Sequence, residues 1–357
     1  MTTARQQLEI REFPLPAPSA EEAVIRIRCC TICRSDLHTW SGRRPGPTPA
    51  ILGHEIVGEI ATLGPGLTRD AAGQPLAEGD RVTWTRHSSC GRCVYCTNYN
   101  LPMKCQHVRK YGHQDCTGPP HLNGGFAEYC VVDAGTSLLK VPPNIPDLVA
   151  APLNCAVATV VAGWEAAALQ PTESVLIQGA GGLGCYAAAY ASFVGANRVI
   201  VTDIKADRLD IARRFGATDC INVAQQSDQQ VIDNVRRLTD GLGADCVLEV
   251  AGVPEAVSLG LAALRKGGRF IEQGCSFPEA TTSIDLSVVL WNLLTIRGVH
   301  NYDVRHLRRA LEFVCETVDR FPYQQLVSST FPLAEINEAF SRAQENSLGR
   351  VAIDCQN

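Results

Sequence analysis

Apolar and polar segments alternate most regularly between residues 174 and 203. This stretch reads "SVLIQGAGGLGCYAAAYASFVGANRVIVTD": a short β-branched run, a glycine-rich turn, an alanine-rich segment and a second apolar run. Short apolar runs bounded by glycine predict buried strands, and the longer alanine-rich segment predicts a helix. The pattern therefore predicts a strand, a turn, a helix and a second strand.

The alternation continues beyond residue 203. "RLDIARRFG" and "EAVSLGLAAL" have helical patterns, whereas "DCVLEVAG" and "GGRFIEQG" read as strands. Strands that alternate with helices predict a parallel, doubly wound sheet, because parallel strands need a crossover connection. The expected fold class is α/β, and 357 residues suit two domains.

The glycine-rich turn carries a dinucleotide-binding motif, G-x-G-x-x-G, between a strand and a helix. Its glycines allow close backbone approach, so that a pyrophosphate can bind at the helix N-terminus. The residues expected at the cofactor are Gly179, Gly181, Gly182, Leu183 and Gly184. Asp203, 19 residues after the last glycine, favours NAD over NADP because a carboxylate there repels a 2′-phosphate. Arg208 lies just beyond and is also expected near the cofactor, and a glycine-rich turn of another α/β protein is the alternative.

Composition and charge narrow the partners. The most apolar stretch, from Val149, is interrupted by Pro152, Asn154 and Glu165, which predicts a buried helix after a turn and no membrane span. The N-terminus shows no export signal, so a cytoplasmic location is expected. The net charge is −5 without a run of Lys or Arg, which argues against nucleic acid and leaves small molecules as partners.

Four of the 16 cysteines form a cluster with the spacing C-x2-C-x2-C-x8-C: Cys90, Cys93, Cys96 and Cys105. Four thiolates that close a tetrahedron are typical of structural zinc, and such a site has no open position for chemistry. An iron–sulfur cluster takes the same ligands, and a CxxC redox pair is a further alternative. The spacing favours structural zinc.

A second, mixed set of potential ligands precedes this cluster. Cys33, His54 and Glu55 combine a thiolate, an imidazole and a carboxylate. Three protein ligands and an open position are the pattern of a catalytic zinc site. This set is therefore the candidate for catalysis.

With these three features in this order, the chain resembles the zinc-dependent medium-chain alcohol dehydrogenases over essentially its whole length. "GDRV" at 79–82, "GGFAEY" at 124–129 and "GRVAI" at 349–353 belong to the same resemblance. It implies a β-rich GroES-like catalytic domain, residues 1–155 and 300–357, and a Rossmann NAD-binding domain, residues 156–299. It also implies two zinc ions per chain and a homo-oligomer, either a dimer or a tetramer.

The resemblance assigns roles to individual residues. Cys33 and His54 match catalytic zinc ligands, and Glu55 matches a carboxylate that either ligates the metal or lies behind it. Ser35 and His38 match a proton relay, and Arg34 and Arg350 match arginines that hold the cofactor pyrophosphate. The remaining ligand position falls at Ala151, which cannot bind metal, so Cys155 is expected to replace it; Glu55 and water are the alternative.

Three arginines lie near the predicted zinc site in the sequence, where members of this family have uncharged residues: Arg43, Arg44 and Arg86. A cationic pocket suits a phosphonate, phosphate or carboxylate group. "SDLHTWSGRRP" and "APLNCAVATVV" resemble the branch associated with phosphonate catabolism, which implies a hydroxyalkyl phosphonate substrate; solvated loop arginines are the alternative. A polyol or L-threonine dehydrogenase is a second expectation, and a non-catalytic, crystallin-like protein that binds zinc and NAD is a third.

Overall fold

The computed structural model describes residues 7–345 and 349–356. The chain divides into two compact units: Met1–Ala158, Tyr302–Cys315 and Tyr323–Asn357 form the first, and Thr159–Asn301 and Glu316–Pro322 form the second. The sequence predicts that all of residues 300–357 belong to the first unit. In the structure, residues 316–322 belong to the second unit.

The elements follow each other along the chain. The strands are β1 (Ala23–Thr31), β2 (Glu55–Leu63), β3 (Arg81–Trp84), β4 (His87–Ser88), β5 (Arg109–Lys110), β6 (Tyr129–Val132), β7 (Leu138–Lys140), β8 (Ser174–Gln178), β9 (Arg198–Asp203), β10 (Asp219–Asn222), β11 (Ala244–Glu249), β12 (Leu264–Glu272), β13 (Thr295–Gly298), β14 (Val327–Pro332) and β15 (Arg350–Asp354). The α-helices are α1 (Arg34–Trp40), α2 (Val94–Thr97), α3 (Asp147–Ala150), α4 (Ala156–Ala166), α5 (Gly182–Val194), α6 (Ala206–Arg214), α7 (Asp228–Leu238), α8 (Ala256–Ala263), α9 (Leu286–Trp291), α10 (Val304–Thr317) and α11 (Ile336–Glu345). Short 3-10 helices cover Pro102–Lys104, Ala151–Asn154, Val223–Gln225, Tyr323–Leu326 and Leu333–Glu335.

The first unit is built around a mostly antiparallel sheet with the order β14-β15-β1-β2-β3-β7, in which β6 also pairs with β1. Strand β1, "AVIRIRCCT", is rich in β-branched residues and exposes only Arg26, because it has neighbours on both edges and a packed core beside it. Strands β4 and β5 form a separate ribbon. This sheet brings strands from both ends of the chain together, and Arg350 therefore lies beside Glu55.

The second unit is a parallel sheet with the order β10-β9-β8-β11-β12-β13. The order reverses between β8 and β11, and in such sheets ligands bind at that point, outside the carboxyl ends of the strands. Every residue of β8 is buried, as expected for a strand covered on both faces. The α/β fold class is confirmed. The sequence interpretation did not assign β10, α7 or β13, which are short, polar or exposed.

The predicted buried helix after a turn corresponds to two short helical segments and α4. Among the described residues, no single helix is both long and apolar enough to cross a membrane. Only the bent pair Asp147–Asn154 and Ala156–Ala166, with an angle of 49°, reaches that length and composition together.

Candidate active site

The side chains of Cys33, His54 and Cys155 converge in the first unit, with their ligand atoms all within 4.8 Å of one another. Cys33 is the N-cap of α1, His54 precedes β2, and Cys155 follows the 3-10 helix Ala151–Asn154. The turn at this 3-10 helix brings the side chain of Cys155 to Cys33 and His54, four residues after Ala151. Two sulfurs and one imidazole nitrogen form a donor set that suits zinc with an open position.

A hydrogen bond from Cys155 lowers the pKa of the Cys33 thiol well below its usual range. The same bond, followed by burial, raises the pKa of Cys155. Thiols this close release their protons when a metal ion binds, so the donor set fits a metal ion.

Asp36, which the sequence interpretation missed, orients His54. Its Oδ1 accepts a hydrogen bond from His54 Nδ1 at 3.1 Å, and its Oδ2 accepts one from the backbone N–H of Cys33 at 2.9 Å. Asp36 and His54 are both fully buried. A carboxylate on Nδ1 leaves Nε2 of the ring free to ligate a metal, as second-shell partners of metal-binding histidines do.

Glu55 forms a buried ion pair with Arg350. The guanidinium donates to both carboxylate oxygens at 2.6 and 3.1 Å, and the Thr31 hydroxyl donates to Oε2 at 2.6 Å. Glu55 is therefore placed behind the three ligands with its oxygens occupied, and Arg350 is bound to Glu55. The roles that the resemblance assigned to them, zinc ligand and pyrophosphate contact, stay predictions.

Ser35 and His38 both lie on α1. The hydroxyl oxygen of Ser35 is 3.3 Å from His54 Nε2, so it faces the proposed metal position. Burial, and then the charge of Arg43, lower the pKa of His38. His38 is half-buried, one helical turn beyond Ser35, and is neutral at pH 7, as a proton acceptor has to be.

Arg86 is buried beside the thiols. Its Nη1 lies 3.8 Å from Cys155 Sγ, and its Nε has no hydrogen-bond partner among the described residues. Burial opposes its charge, but the neighbouring Cys155 and Cys33 raise the pKa of Arg86, so it remains a cation. An unbalanced buried cation is costly, which makes this guanidinium a strong candidate for binding an anion.

Further positive charge surrounds Arg86. Arg44 is half-buried, and burial, followed by the charge of Arg86, lowers its pKa. Burial and then Arg86 lower the pKa of Lys110 as well. Arg34 and Arg43 are exposed. Of the three arginines predicted at the substrate, Arg86 is thus buried and Arg44 half-buried, whereas Arg43 is exposed.

Two further histidines, His87 and His113, are held neutral here. Burial and the charge of Arg86 lower the pKa of His87 to about 4, and its Nδ1 has no partner within the described chain. The His113 ring lies 5.0 Å from that of His54, and burial lowers its pKa strongly. His113 carries no motif, so only the fold reveals it.

The four-cysteine loop brings Cys90, Cys93, Cys96 and Cys105 within 4.8 Å of one another. All four are free thiols. The backbone N–H groups of Cys90 and His107 both donate to Cys105 Sγ at 3.3 Å, an arrangement that stabilises a thiolate. The eight-residue spacer is accommodated, and the donor set fits a structural zinc ion.

The glycine turn follows β8 in the second unit. Gly179 has φ +105°, which other residues rarely adopt, and a Cβ at Gly184 would overlap the Gly179 carbonyl oxygen. Gly181 caps α5, and Gly182 and Leu183 begin it. Asp203 Oδ2 accepts the Ala180 N–H at 2.8 Å and lies 3.5 Å from Arg208 Nη1. The turn thus has the geometry for a pyrophosphate at a helix N-terminus.

Comparison with known proteins agrees with this geometry. Residues 19–143 match the family model of the alcohol dehydrogenase GroES-like domain, and residues 182–316 match that of the zinc-binding dehydrogenase. The chain is 30% identical to an L-threonine 3-dehydrogenase of Saccharopolyspora erythraea over 99% of this chain and 97% of the relative. It is 29% identical to a 5-exo-hydroxycamphor dehydrogenase of Pseudomonas putida over 98% and 96% of the two chains.

Among solved structures, an alcohol dehydrogenase from Thermotoga maritima superposes with a TM-score of 0.93 at 28% identity, covering 98% of this chain and 96% of that one. These matches confirm the predicted GroES-like and Rossmann folds and the assignment as a zinc-dependent dehydrogenase that uses a nicotinamide cofactor. The chain belongs to the family of zinc-dependent medium-chain alcohol dehydrogenases.

Proposed function

We propose that this enzyme oxidises an alcohol that carries an anionic group, with a hydroxyalkyl phosphonate as the best candidate. Catalytic zinc would be held by Cys33, His54 and Cys155, and NAD is the preferred cofactor. The single observation that carries the substrate class is Arg86, a buried guanidinium 3.8 Å from a zinc-ligand candidate. The structural zinc would occupy the four-cysteine loop, which gives two zinc ions per chain.

When bound, zinc would acidify the substrate hydroxyl as it lowers the pKa of bound water from about 16 to about 7, and NAD would accept the hydride. The protein's own groups handle the proton. Ser35 Oγ, which lies 3.3 Å from His54 Nε2, would accept the hydroxyl proton as it releases its own, and His38 would pass that proton to solvent by way of the cofactor ribose. Asp36 keeps the His54 ring fixed, and Arg86 holds the anionic end of the substrate.

The preference for NAD rests on Asp203. Its carboxylate lies at the carboxyl end of β9, next to the glycine turn. There it would accept hydrogen bonds from the ribose hydroxyl groups and repel a 2′-phosphate. Arg208 offsets part of that repulsion. We expect a higher kcat/KM with NAD than with NADP, measured at equal alcohol concentration.

The substrate proposal is tested with a hydroxyalkyl phosphonate and its neutral dimethyl ester, followed by NADH absorbance. A charge-assisted hydrogen bond contributes about 1.5–3 kcal/mol, so Arg86→Met should lower kcat/KM for the anion by about 10- to 150-fold and leave the ester almost unchanged. Arg109→Met, which removes an exposed arginine paired with Asp133, is the matched control. Equal losses for anion and ester would refute the proposal.

L-threonine is the second candidate, since the 30% identical relative is named an L-threonine 3-dehydrogenase and Arg86 can bind a carboxylate as well as a phosphonate. The two differ in charge, because a phosphonate carries nearly two negative charges. A kcat/KM higher for L-threonine than for every hydroxyalkyl phosphonate would select this candidate.

We also propose that a second copy of the chain covers an apolar surface on the second unit. Leu286, Leu290, Trp291 and Leu293 are each at least 70% exposed on or next to α9, and β13 is the edge strand beside them. Such a surface next to an open strand edge favours association. Leu290→Glu should lower the mass measured by light scattering, whereas Leu242→Glu, at another exposed leucine, should not.

A further inference from the structure

A further group of potential metal ligands lies in the second unit. Glu249 ends β11, Glu272 ends β12, and the two residues are paired in the strand register. Cys275 follows three residues later, and one donor atom from each of the three lies within 4.8 Å of the others. Two carboxylates and a thiol therefore meet at the carboxyl edge of the parallel sheet.

The carboxylates are only partly satisfied. Glu249 is fully buried; its Oε1 accepts the Gly252 N–H at 2.8 Å, but its Oε2 has no hydrogen-bond partner in the described part of the chain. Glu272 repeats the pattern, with Oε1 accepting the Cys275 N–H at 2.8 Å and Oε2 without a partner there. A buried, unpartnered carboxylate oxygen is costly, so both free oxygens call for a positive partner.

The surrounding charges do not provide one. The charged residues that act on the Cys275 thiol are Glu272, Glu249 and Glu255, all acidic. Two like charges at neighbouring register positions persist only with a proton or a cation between them.

We infer that Glu249, Glu272 and Cys275 bind a divalent metal ion of the zinc class. Carboxylate oxygen and thiolate sulfur are both zinc ligands, and three protein ligands leave a fourth position open. On binding, the Cys275 thiol releases its proton and its sulfur takes up the metal.

The backbone around the group is closely packed. A Cβ at Gly274 would overlap Glu249 Oε2, so glycine keeps the space beside that oxygen open. The segment after β11 also contacts the cofactor turn, since a Cβ at Gly179 would lie 2.9 Å from Ala251 Cα. A metal that joins the ends of β11 and β12 would therefore fix the segment against which the glycine turn packs.

The test measures zinc per chain in the full-length protein by mass spectrometry after equilibrium dialysis against zinc. Glu272→Gln and Cys275→Ser should each hold one equivalent less than wild type. Glu255→Gln, which removes an exposed nearby carboxylate that is not part of the group, should hold the same amount as wild type. Equal zinc content in all four proteins would overturn the inference and leave a shared proton.

A second measurement needs no variant. Cys275 is half-buried, so a thiol reagent reaches it, and peptide mapping isolates its alkylation from that of the other cysteines. Zinc should slow alkylation of Cys275 at least tenfold. An alkylation rate that zinc leaves unchanged would overturn the inference, even if Glu272→Gln fails to fold. The zinc content and the alkylation rate are both independent of which alcohol is the substrate.

Discussion

Replacing Asp36 by Asn tests whether the buried carboxylate orients a zinc-binding histidine. The change keeps the side-chain shape but removes the negative charge. It also replaces one of the two accepting oxygens by an NH2 group, which cannot accept a hydrogen bond. Either the bond from His54 Nδ1–H (3.1 Å) or the bond from the Cys33 N–H (2.9 Å) is therefore lost. His54 then loses the group that fixes its ring and its tautomer.

The magnitude follows from two separate effects. Loss of an outer-shell partner lowers metal affinity by about 10- to 100-fold, which is about 1.4–2.7 kcal/mol. One buried donor left without an acceptor costs about 1–3 kcal/mol of folding stability. Asp36→Asn should therefore weaken zinc binding at the Cys33, His54 and Cys155 site and also lower the free energy of unfolding.

Asp70 offers a matched control. It is also buried in the first unit, and its carboxylate accepts the backbone N–H groups of Ala72, Gln74 and Lys140 at 2.8–3.1 Å. Asp70→Asn should lower the free energy of unfolding by a similar amount and leave zinc affinity unchanged. Zinc affinity is measured by competition with a chromophoric chelator, and stability by urea unfolding. Equal zinc affinity in both variants would refute the orienting role of Asp36.

Three further outcomes are expected. Glu55→Gln leaves Arg350 buried without its anion, so it should lower the free energy of unfolding, measured by urea titration, by about 3–5 kcal/mol. Zinc content should stay unchanged, and a loss of zinc would instead make Glu55 a ligand. Cys96→Ser should remove one zinc equivalent and lower Tm before it changes KM; unchanged zinc content would show that this loop is empty. Arg43→Ala removes a positive charge that lowers the pKa of His38, so that pKa should rise and the acidic limb of the kcat/KM profile, where His38 becomes protonated, should move to higher pH. An unmoved profile would exclude His38 from the relay.

Local patterns in the sequence were sufficient to predict the glycine turn and the strand and helix on either side of it. Glycines with fixed spacing between a β-branched run and an alanine-rich run predict the turn because each step depends on neighbouring residues, and Gly179 and Gly184 have the conformations that the motif requires. The same holds for the four-cysteine loop, whose ligands lie within 16 residues of one another.

Pairings between distant residues could not be predicted in this way. Glu55 and Arg350 are 295 residues apart and meet only because β15 pairs with β1, which also pairs with β2. Asp36 is visible in the sequence only as the third residue of a helix, and its contact with His54 needs the fold. Burial of Arg86 likewise depends on packing, which no local pattern reports.

The central claim is that Cys155 completes a catalytic zinc site with Cys33 and His54. Zinc content and NADH formation should be measured together in Cys155→Ala and in Cys130→Ala, which removes a buried thiol of the same unit that donates only to the Val131 carbonyl. Cys155→Ala should lose one zinc equivalent and lower kcat at least 100-fold, whereas Cys130→Ala should keep both zinc and kcat. Full zinc content and full activity in Cys155→Ala would contradict the claim.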